Sequence, residues 1–414
     1  MKRRVVITGL GAICGLGHDR ETVWKNILAG KCGISAMTNI DATELKVKIA
    51  GEVKNFRPET KFDLKELKRM DRVVQFAMWA SHEAIQDAGL DFEKVDRTRT
   101  GVIIGSGIGG IAVWESEHTK FIQQGPGRVS PFLIPMMISD MTSGMVSIHW
   151  KLGGPNFTVT SACASGAHSI GESYRLIAHG DAEVIVTGGA EAPITPFAVS
   201  GFANMRALSQ RNDEPEKASR PFDKDRDGFV IGEGAAIIIL EELEHALRRG
   251  VRIYGEIIGY GMSGDGFHIT APAPEGEGAY RAMKQALAEN NIPLTDVNYI
   301  NAHGTSTELN DRYEVVAIKN LFGDHAKQIA INSTKSMIGH LLGAAGAIEL
   351  TVTLLSIRDG VVHQSVNLDE VEAGFDLDFV RGGPRKLEVK VAVSNSFGFG
   401  GHNAVLAVKR FDKE

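Results

Sequence analysis

Short β-branched runs, several of them ending in glycine, constrain this fold more than any other feature of the chain. Val5 to Thr8, Thr100 to Ile104, Val184 to Thr187, Val391 to Val393 and Ala404 to Val408 each read as a strand. Helix-patterned stretches lie between them. Glu66 to Ala88 is one, with Met70, Val74, Ala77 and Ala84 at helical spacing and Gly89 at its end. Alternating strands and helices predict an α/β protein with buried sheets. The 414 residues are 43% apolar and 23% charged, enough for a sizeable core and for two domains or one large duplicated unit. Duplication is the expectation: one βα series closes with Val184-Ile185-Val186-Thr187-Gly188-Gly189, and a second begins near Tyr254 and closes with the last two strands.

Composition removes several classes of function. A net charge of −6 argues against a general nucleic-acid binder. No apolar run reaches the ~18 residues that span a bilayer, so no membrane insertion is expected. The chain opens into a strand at Val5, so no signal peptide is expected either. Cys14, Cys32 and Cys163 do not suggest a disulfide framework, and a reducing cytoplasm is the expected compartment.

Chemistry concentrates in four stretches. In Val159-Thr160-Ser161-Ala162-Cys163-Ala164-Ser165-Gly166-Ala167-His168, an apolar β-branched run turns into a helix at a cysteine flanked by alanines. The helix carries Ile170, Tyr174 and Ile177 on one stripe and stops at Gly180. Cys163 is either a small buried hydrophobe or a nucleophile whose thiolate is favoured by the first-turn N–H groups. Asn301-Ala302-His303-Gly304-Thr305-Ser306-Thr307 is a strand end followed by a polar turn, where open α/β sheets place ligands. In Lys335-Ser336-Met337-Ile338-Gly339-His340, His340 opens a helix of small apolar residues and is expected to stay neutral there, able to donate to an oxyanion. Asn395-Ser396-Phe397-Gly398-Phe399-Gly400-Gly401 is a glycine-rich turn whose N–H groups could form an oxyanion hole. No Cys-x-x-Cys or His-Glu-x-x-His spacing points to a transition metal. The spacing of Asp223, Asp225 and Asp227 resembles half a calcium loop, but the twelfth position is Gly234, so a polar turn rich in arginine–aspartate pairs is expected instead. Thiolate, histidines and lysine together suit acyl transfer through a thioester.

Taken jointly, these motifs resemble the β-ketoacyl-acyl-carrier-protein synthases, in particular the elongating condensing enzymes of type II fatty acid synthesis, from the first strand to the last. The resemblance implies a thiolase-like α/β fold, duplicated halves in a five-layered αβαβα arrangement, divided here as 1–255 and 256–414, in a homodimer. It implies that Cys163 accepts an acyl chain and that His303 and His340 act on malonyl-carrier protein as it decarboxylates. Lys335, five residues before His340, is expected to set the orientation and protonation of that ring. It further implies that Phe399 gates the acyl pocket, with its N–H and that of Cys163 on the acyl oxyanion and Phe397 beside it. Ile108 would line the acyl tunnel, and Thr305 and Thr307 would hold the phosphopantetheine arm of the acyl carrier protein. No organic cofactor is implied. A monovalent cation, sodium or potassium, would sit at Asn301, Ala302, Glu349, Ser394 and Asn395. Glu349 needs some partner in its apolar helix, and Lys335 or a backbone group is the alternative to the cation.

A basic stripe, Lys65, Lys68, Arg69 and Arg72, falls on one face if Leu64 to Val74 is helical. It reads as a solvated face or, with Arg206, as a dock for an acidic carrier protein. A thiolase would need a second cysteine as acid and base, and Cys14 and Cys32 lie outside any matching turn. An initiating or chalcone-type synthase would carry asparagine where His340 stands. A non-catalytic chain-length subunit would lack Cys163. The sister type I elongating synthase and the aromatic-polyketide ketosynthases remain the nearest alternatives.

Overall fold

A computed structural model describes residues 3–412. Eleven strands form its main sheet: β1 (Val5–Ile13), β2 (Thr100–Gly105), β3 (Asn156–Phe157), β4 (Val184–Glu191), β5 (Gly234–Glu242), β6 (Gly255–Gly264), β7 (Val297–Asn301), β8 (Ala330–Asn332), β9 (Asp378–Phe379), β10 (Val391–Gly398) and β11 (His402–Lys409). Their spatial order is β9-β8-β7-β10-β11-β6-β1-β5-β4-β2-β3. Read outward from the centre, the two sides repeat. β1 pairs antiparallel with β5, β5 antiparallel with β4, then β4, β2 and β3 run parallel. On the other side β6 pairs antiparallel with β11, β11 antiparallel with β10, then β10, β7 and β8 run parallel. The halves join where Val5, Val6 and Ile7 pair antiparallel with Ile257, Glu256 and Gly255. The duplication expected from the two strand series is thus present in the topology.

Six helices build the layers: α1 (Arg72–Asp87), α2 (Met141–Trp150), α3 (Ser165–His179), α4 (Glu277–Ala288), α5 (Glu308–Phe322) and α6 (Ala345–Asp359). In α6 every residue from Ala345 to Ile357 is buried, as a helix that is apolar all round must be. It lies against α3 between the two half-sheets. The strands show why. On β5, Ile237 and Ile239 pack outward with Val74, Ala77 and Met78 of α1, while Ile238 and Leu240 pack inward with Ile170 and Ile348. On β11, Val405 and Ala407 pack outward with Ala282 and Met283 of α4, while Ala404, Leu406 and Val408 join the central cluster. Each half-sheet is therefore covered on both faces, which gives the five layers and accounts for continuous apolar strands. The central helices touch closely because they carry glycine: a Cβ on Gly346 would come within 2.9 Å of the Ala167 Cβ.

One helix differs from expectation. Glu66 to Ala88 is broken: a short helix, Leu64–Leu67, ends before Asp71, whose carboxylate accepts the Val73 N–H at 3.0 Å and starts α1. Lys65, Lys68 and Arg69 are exposed, whereas Arg72 turns to the buried Glu233 carboxylate at 2.7 Å. The four cations do not form one helical stripe. The turn from Ser219 to Phe229 holds one of the expected pairs, Arg220 on Asp223 at 3.1 Å, whereas Arg226 reaches out of the turn to Asp311 of α5 at 3.6 Å. Among the described residues no helix is long and apolar enough to cross a membrane.

Candidate active site

Strand ends and the two central helices converge on a cavity of about 420 Å³. Cys163, His303, Thr305, Thr307, His340, Phe397, Phe399 and Arg206 all line it. Cys163 lies in a tight turn, Ala162–Ala164, directly before α3. The preceding strand is only β3, shorter than the run to Thr160 suggested. Ala162 takes a positive φ of 51°, a left-handed turn that non-glycine residues rarely adopt and that delivers the sulfur sharply into the site. Ser161 bonds the His168 ring at 2.6 Å, and that ring also bonds the Asn403 backbone on β11, so His168 ties the nucleophile turn to the glycine-rich hairpin.

The expected thiolate is not what the site favours. Burial pushes the Cys163 thiol up to about 12, and the nearby Glu191 carboxylate adds to this. The Lys335 charge and the Phe399 amide, which hydrogen-bonds the sulfur, act in the opposite direction without overcoming burial. A helix terminus acts through partial charges, and desolvation of a full charge outweighs it here.

His303 follows β7 and is held from three sides. Its N–H donates to Glu314 at 2.8 Å, its carbonyl accepts from Lys335 Nζ at 2.7 Å, and its Nδ1 lies 3.3 Å from the same Nζ. An ammonium donating to Nδ1 places the ring proton on Nε2. Lys335 also forms a buried ion pair with Glu349. Lys335 therefore orients His303 by contact rather than His340, while its expected influence on the protonation of His340 is exerted through its charge. The His340 ring packs edge-on to His303 with centroids 5.3 Å apart. Both imidazoles are held well below the usual histidine range, first by burial and then by the Lys335 charge. His340 is thus neutral as expected, but for desolvation more than for a helix dipole: α6 proper begins only at Ala345.

Thr305 and Thr307 bond each other through their hydroxyls at 2.9 Å. Two carboxylates of α5 hold this loop: Asp311 accepts from Thr305 N at 3.0 Å and Glu314 from Gly304 N at 2.8 Å. Sequence reasoning missed both, although two acids one helical turn apart directly after the histidine loop were a readable signal. Phe399 sits in the hairpin between β10 and β11, where Gly400 and Gly401 have φ of 82° and 74°. Ile108 lies away from the cavity wall, in an apolar cluster with Cys163, Leu342 and Phe202. Lys65, Lys68 and Arg69 do not line the cavity, and Arg69 stacks over the Phe132 ring at 4.7 Å.

Asn301, Ala302, Glu349, Ser394 and Asn395 are all buried and adjoin one another, with Ser394 opposite Asn301 in the sheet. Glu349 Oε2 and Asn395 Oδ1 have no hydrogen-bond partner among the described residues. Burial raises the Glu349 carboxyl to about 7 against the pull of Lys335. Two unpaired buried oxygens in an all-oxygen set fit a hard cation.

A buried thiol, two neutral imidazoles and a backbone N–H on the sulfur form an arrangement suited to acyl transfer through a cysteine thioester. Residues 2–246 match the family described as β-ketoacyl synthase, N-terminal domain, and residues 254–369 its C-terminal domain. The chain belongs to the β-ketoacyl synthase family. It is 50% identical over 409 residues to 3-oxoacyl-[acyl-carrier-protein] synthase 2 of Coxiella burnetii (strain RSA 493 / Nine Mile phase I), covering 99% of each chain. It is 51% identical over 410 residues to the protein of the same name from Staphylococcus aureus (strain COL), again with 99% coverage of each. A β-ketoacyl synthase structure from Burkholderia phymatum STM815 superposes with a TM-score of 0.93 at 36% identity, covering 100% of both chains. A type II polyketide ketosynthase in complex with its acyl-carrier protein gives the same TM-score, 0.93, at 33% identity and 100% coverage of both chains.

Because burial places the Cys163 titration above the ordinary value of 9.0, the thiolate fraction is small at neutral pH and grows as pH rises. Alkylation of Cys163 by iodoacetamide, followed by peptide mass, should climb about tenfold per pH unit from about pH 7 to about pH 10 without levelling. A plateau below about pH 8 would show that the helix terminus governs the sulfur after all.

Proposed function

We propose that Cys163 carries the growing acyl chain while His303 and His340 stabilise the enolate formed from a malonyl group on acyl carrier protein. The chain is an acyltransferase with the elongating condensing activity of fatty acid synthesis. The observation that carries the assignment of steps is the convergence of Cys163, His303, His340 and the Phe399 amide on one cavity.

In the first step the sulfur loses its proton and attacks the acyl thioester. The C–S bond to the carrier breaks and the pantetheine sulfur leaves with a proton. In the second, malonyl thioester sheds carbon dioxide, and the electrons of the broken C–C bond pass to the thioester oxygen as an enolate. Nε2–H of His303 and the neutral His340 ring donate to that oxygen, each contributing roughly 3 kcal/mol. The enolate carbon attacks the Cys163 thioester, whose oxyanion is held by the N–H groups of Cys163 and Phe399. The C–S bond then breaks, the departing sulfur takes one proton from solvent to reform the thiol, and the product is two carbons longer. Thr305 and Thr307 offer hydroxyls to the phosphopantetheine arm. Ile108, behind the cavity wall in the apolar cluster with Cys163, belongs to the acyl end of the site, and Phe399, between two glycines, gates it with Phe397 alongside.

The remaining assignments rest on surfaces and donors. The helix Ile111–Gln124 and the segment after it expose Trp114, Phe121, Ile122, Phe132, Ile134 and Ile138, and β3, with Phe157 exposed, ends the sheet as an open edge. Exposed apolar side chains and a free strand edge both support a homodimer. Asn301, Ala302, Glu349, Ser394 and Asn395 would hold sodium or potassium, which would neutralise the free Glu349 oxygen behind His303. The enzyme works in the cytoplasm; finding it in a secreted or membrane fraction would refute this.

Three outcomes test this reading. Cys163→Ala should lose acyl-enzyme formation, seen by mass spectrometry, whereas His303→Ala should keep it and lose at least about a hundredfold in carbon dioxide release. Normal release with lost acylation would reverse the roles. Glutamate at positions 65 and 69 should raise KM for carrier-linked substrate, the more so at low salt because exposed charges are screened over about 8 Å at physiological salt. A pantetheine thioester should be indifferent, and equal loss on both substrates would end the docking assignment. Sedimentation should give twice the 44.7 kDa chain mass, and replacing potassium or sodium by a bulky organic cation should lower Tm. A monomer, or an unmoved Tm, would overturn the respective assignment.

A further inference from the structure

Glu191 is the last residue of β4 and is completely buried, with no cationic partner in direct contact among the described residues. Its carboxylate accepts four hydrogen bonds from two loops. Oε1 takes the Ser106 hydroxyl at 2.9 Å and the Ile108 N–H at 3.2 Å; Oε2 takes the Gly107 N–H at 2.7 Å and the Gly343 N–H at 2.9 Å. The cradle is shaped for it. A Cβ on Gly107 would lie 2.9 Å from Oε2, and one on Gly343 would lie 2.5 Å from it. Three backbone N–H groups, which can only donate, and a hydroxyl that donates here suit a carboxylate better than any other side chain of this length.

The two loops so joined flank Cys163. Ile108 and Leu342, the residue before Gly343, share the apolar cluster that contains Cys163, Ile194 and Phe202. Ser106 is bonded in turn to the segment that delivers the cysteine, its N–H to the Val159 carbonyl at 3.3 Å and its carbonyl to the Thr160 hydroxyl at 3.0 Å. We propose that Glu191 is a positioning residue that fixes the Ile108 loop against the Leu342–Gly343 turn and thereby sets which acyl chain lengths the site accepts. This rests on the reading of the apolar cluster around Cys163 as the acyl end of the site. On that reading the apolar cluster between the two loops receives the distal end of a long chain, whereas a short one ends before it.

Glu191→Gln keeps shape and volume but turns an NH₂ toward the Gly107 and Gly343 N–H groups in one orientation and toward the Ile108 N–H in the other, so at least one backbone donor loses its acceptor whichever way the amide lies. The loops should then part. The measurement is the rate of Cys163 acylation from hexanoyl- and tetradecanoyl-carrier protein, with KM and kcat resolved. The tetradecanoyl kcat/KM should fall roughly tenfold more than the hexanoyl value, mainly through KM, as expected when buried donors lose their acceptor. Ser106→Ala, which removes a single donor, should shift the ratio in the same direction by less, and it decides the matter if Glu191→Gln does not fold. Equal falls for both chains, or an unchanged ratio, in the folded variant would overturn the proposal. Ile108→Phe separates the two levels. If it suppresses tetradecanoyl transfer while the Glu191 and Ser106 variants leave the ratio alone, the acyl-end reading stands and the role of Glu191 falls. If Ile108→Phe leaves the ratio unchanged, the reading itself fails and the proposal with it.

Discussion

The close contact between α3 and α6 is the constraint on which the rest depends. Each helix carries one half of the chemistry at its N-terminal approach: Cys163 before α3, and His340 before α6. Glycine and alanine at the contact allow the two backbones to approach, so the halves of a duplicated fold present their loops to one cavity. A larger side chain at Gly346 would meet the Ala167 Cβ and the Ser396 hydroxyl, pushing apart the very elements that must meet.

Dryness follows from that packing and sets the charge states. Cys163, His303 and His340 are all buried, and desolvation is the largest influence on each. It keeps the imidazoles neutral, which suits groups that donate to a developing oxyanion, and it keeps the sulfur a thiol until it reacts. Lys335, the cation in contact with His303, is compensated by Glu349 and spends its other contacts on that histidine. A buried ion pair of this kind adds little net stability, and its use lies in fixing an imidazole tautomer.

The loops around the cavity share one device. Asp311 and Glu314 accept the N–H groups of the His303–Thr305 loop, and Glu191 accepts those of the Ile108 loop and the Gly343 turn. Irregular backbone inside a protein leaves N–H groups that cannot reach a sheet or helix partner. Each buried carboxylate satisfies two or more such donors, so the reactive loops stay ordered without regular secondary structure.

Local pattern in the sequence determined much of this: the strand runs, the α/β class, the stripe of Ile170, Tyr174 and Ile177, the stop at Gly180, and the four reactive stretches. These are legible because period, turn residues and small neighbours act within a few residues of one another. The break at Asp71 was local too, but an aspartate inside an apolar-periodic run reads as surface until its carboxylate is seen capping Val73. What only the tertiary structure decided involves partners far apart in the chain. Lys335 serves His303 rather than His340, Arg72 turns to Glu233, and Glu191 joins two loops 84 and 152 residues away. The protonation state of Cys163 belongs here as well. A helix N-terminus is visible in sequence, but the desolvation that overrules it exists only once both halves have closed around the sulfur.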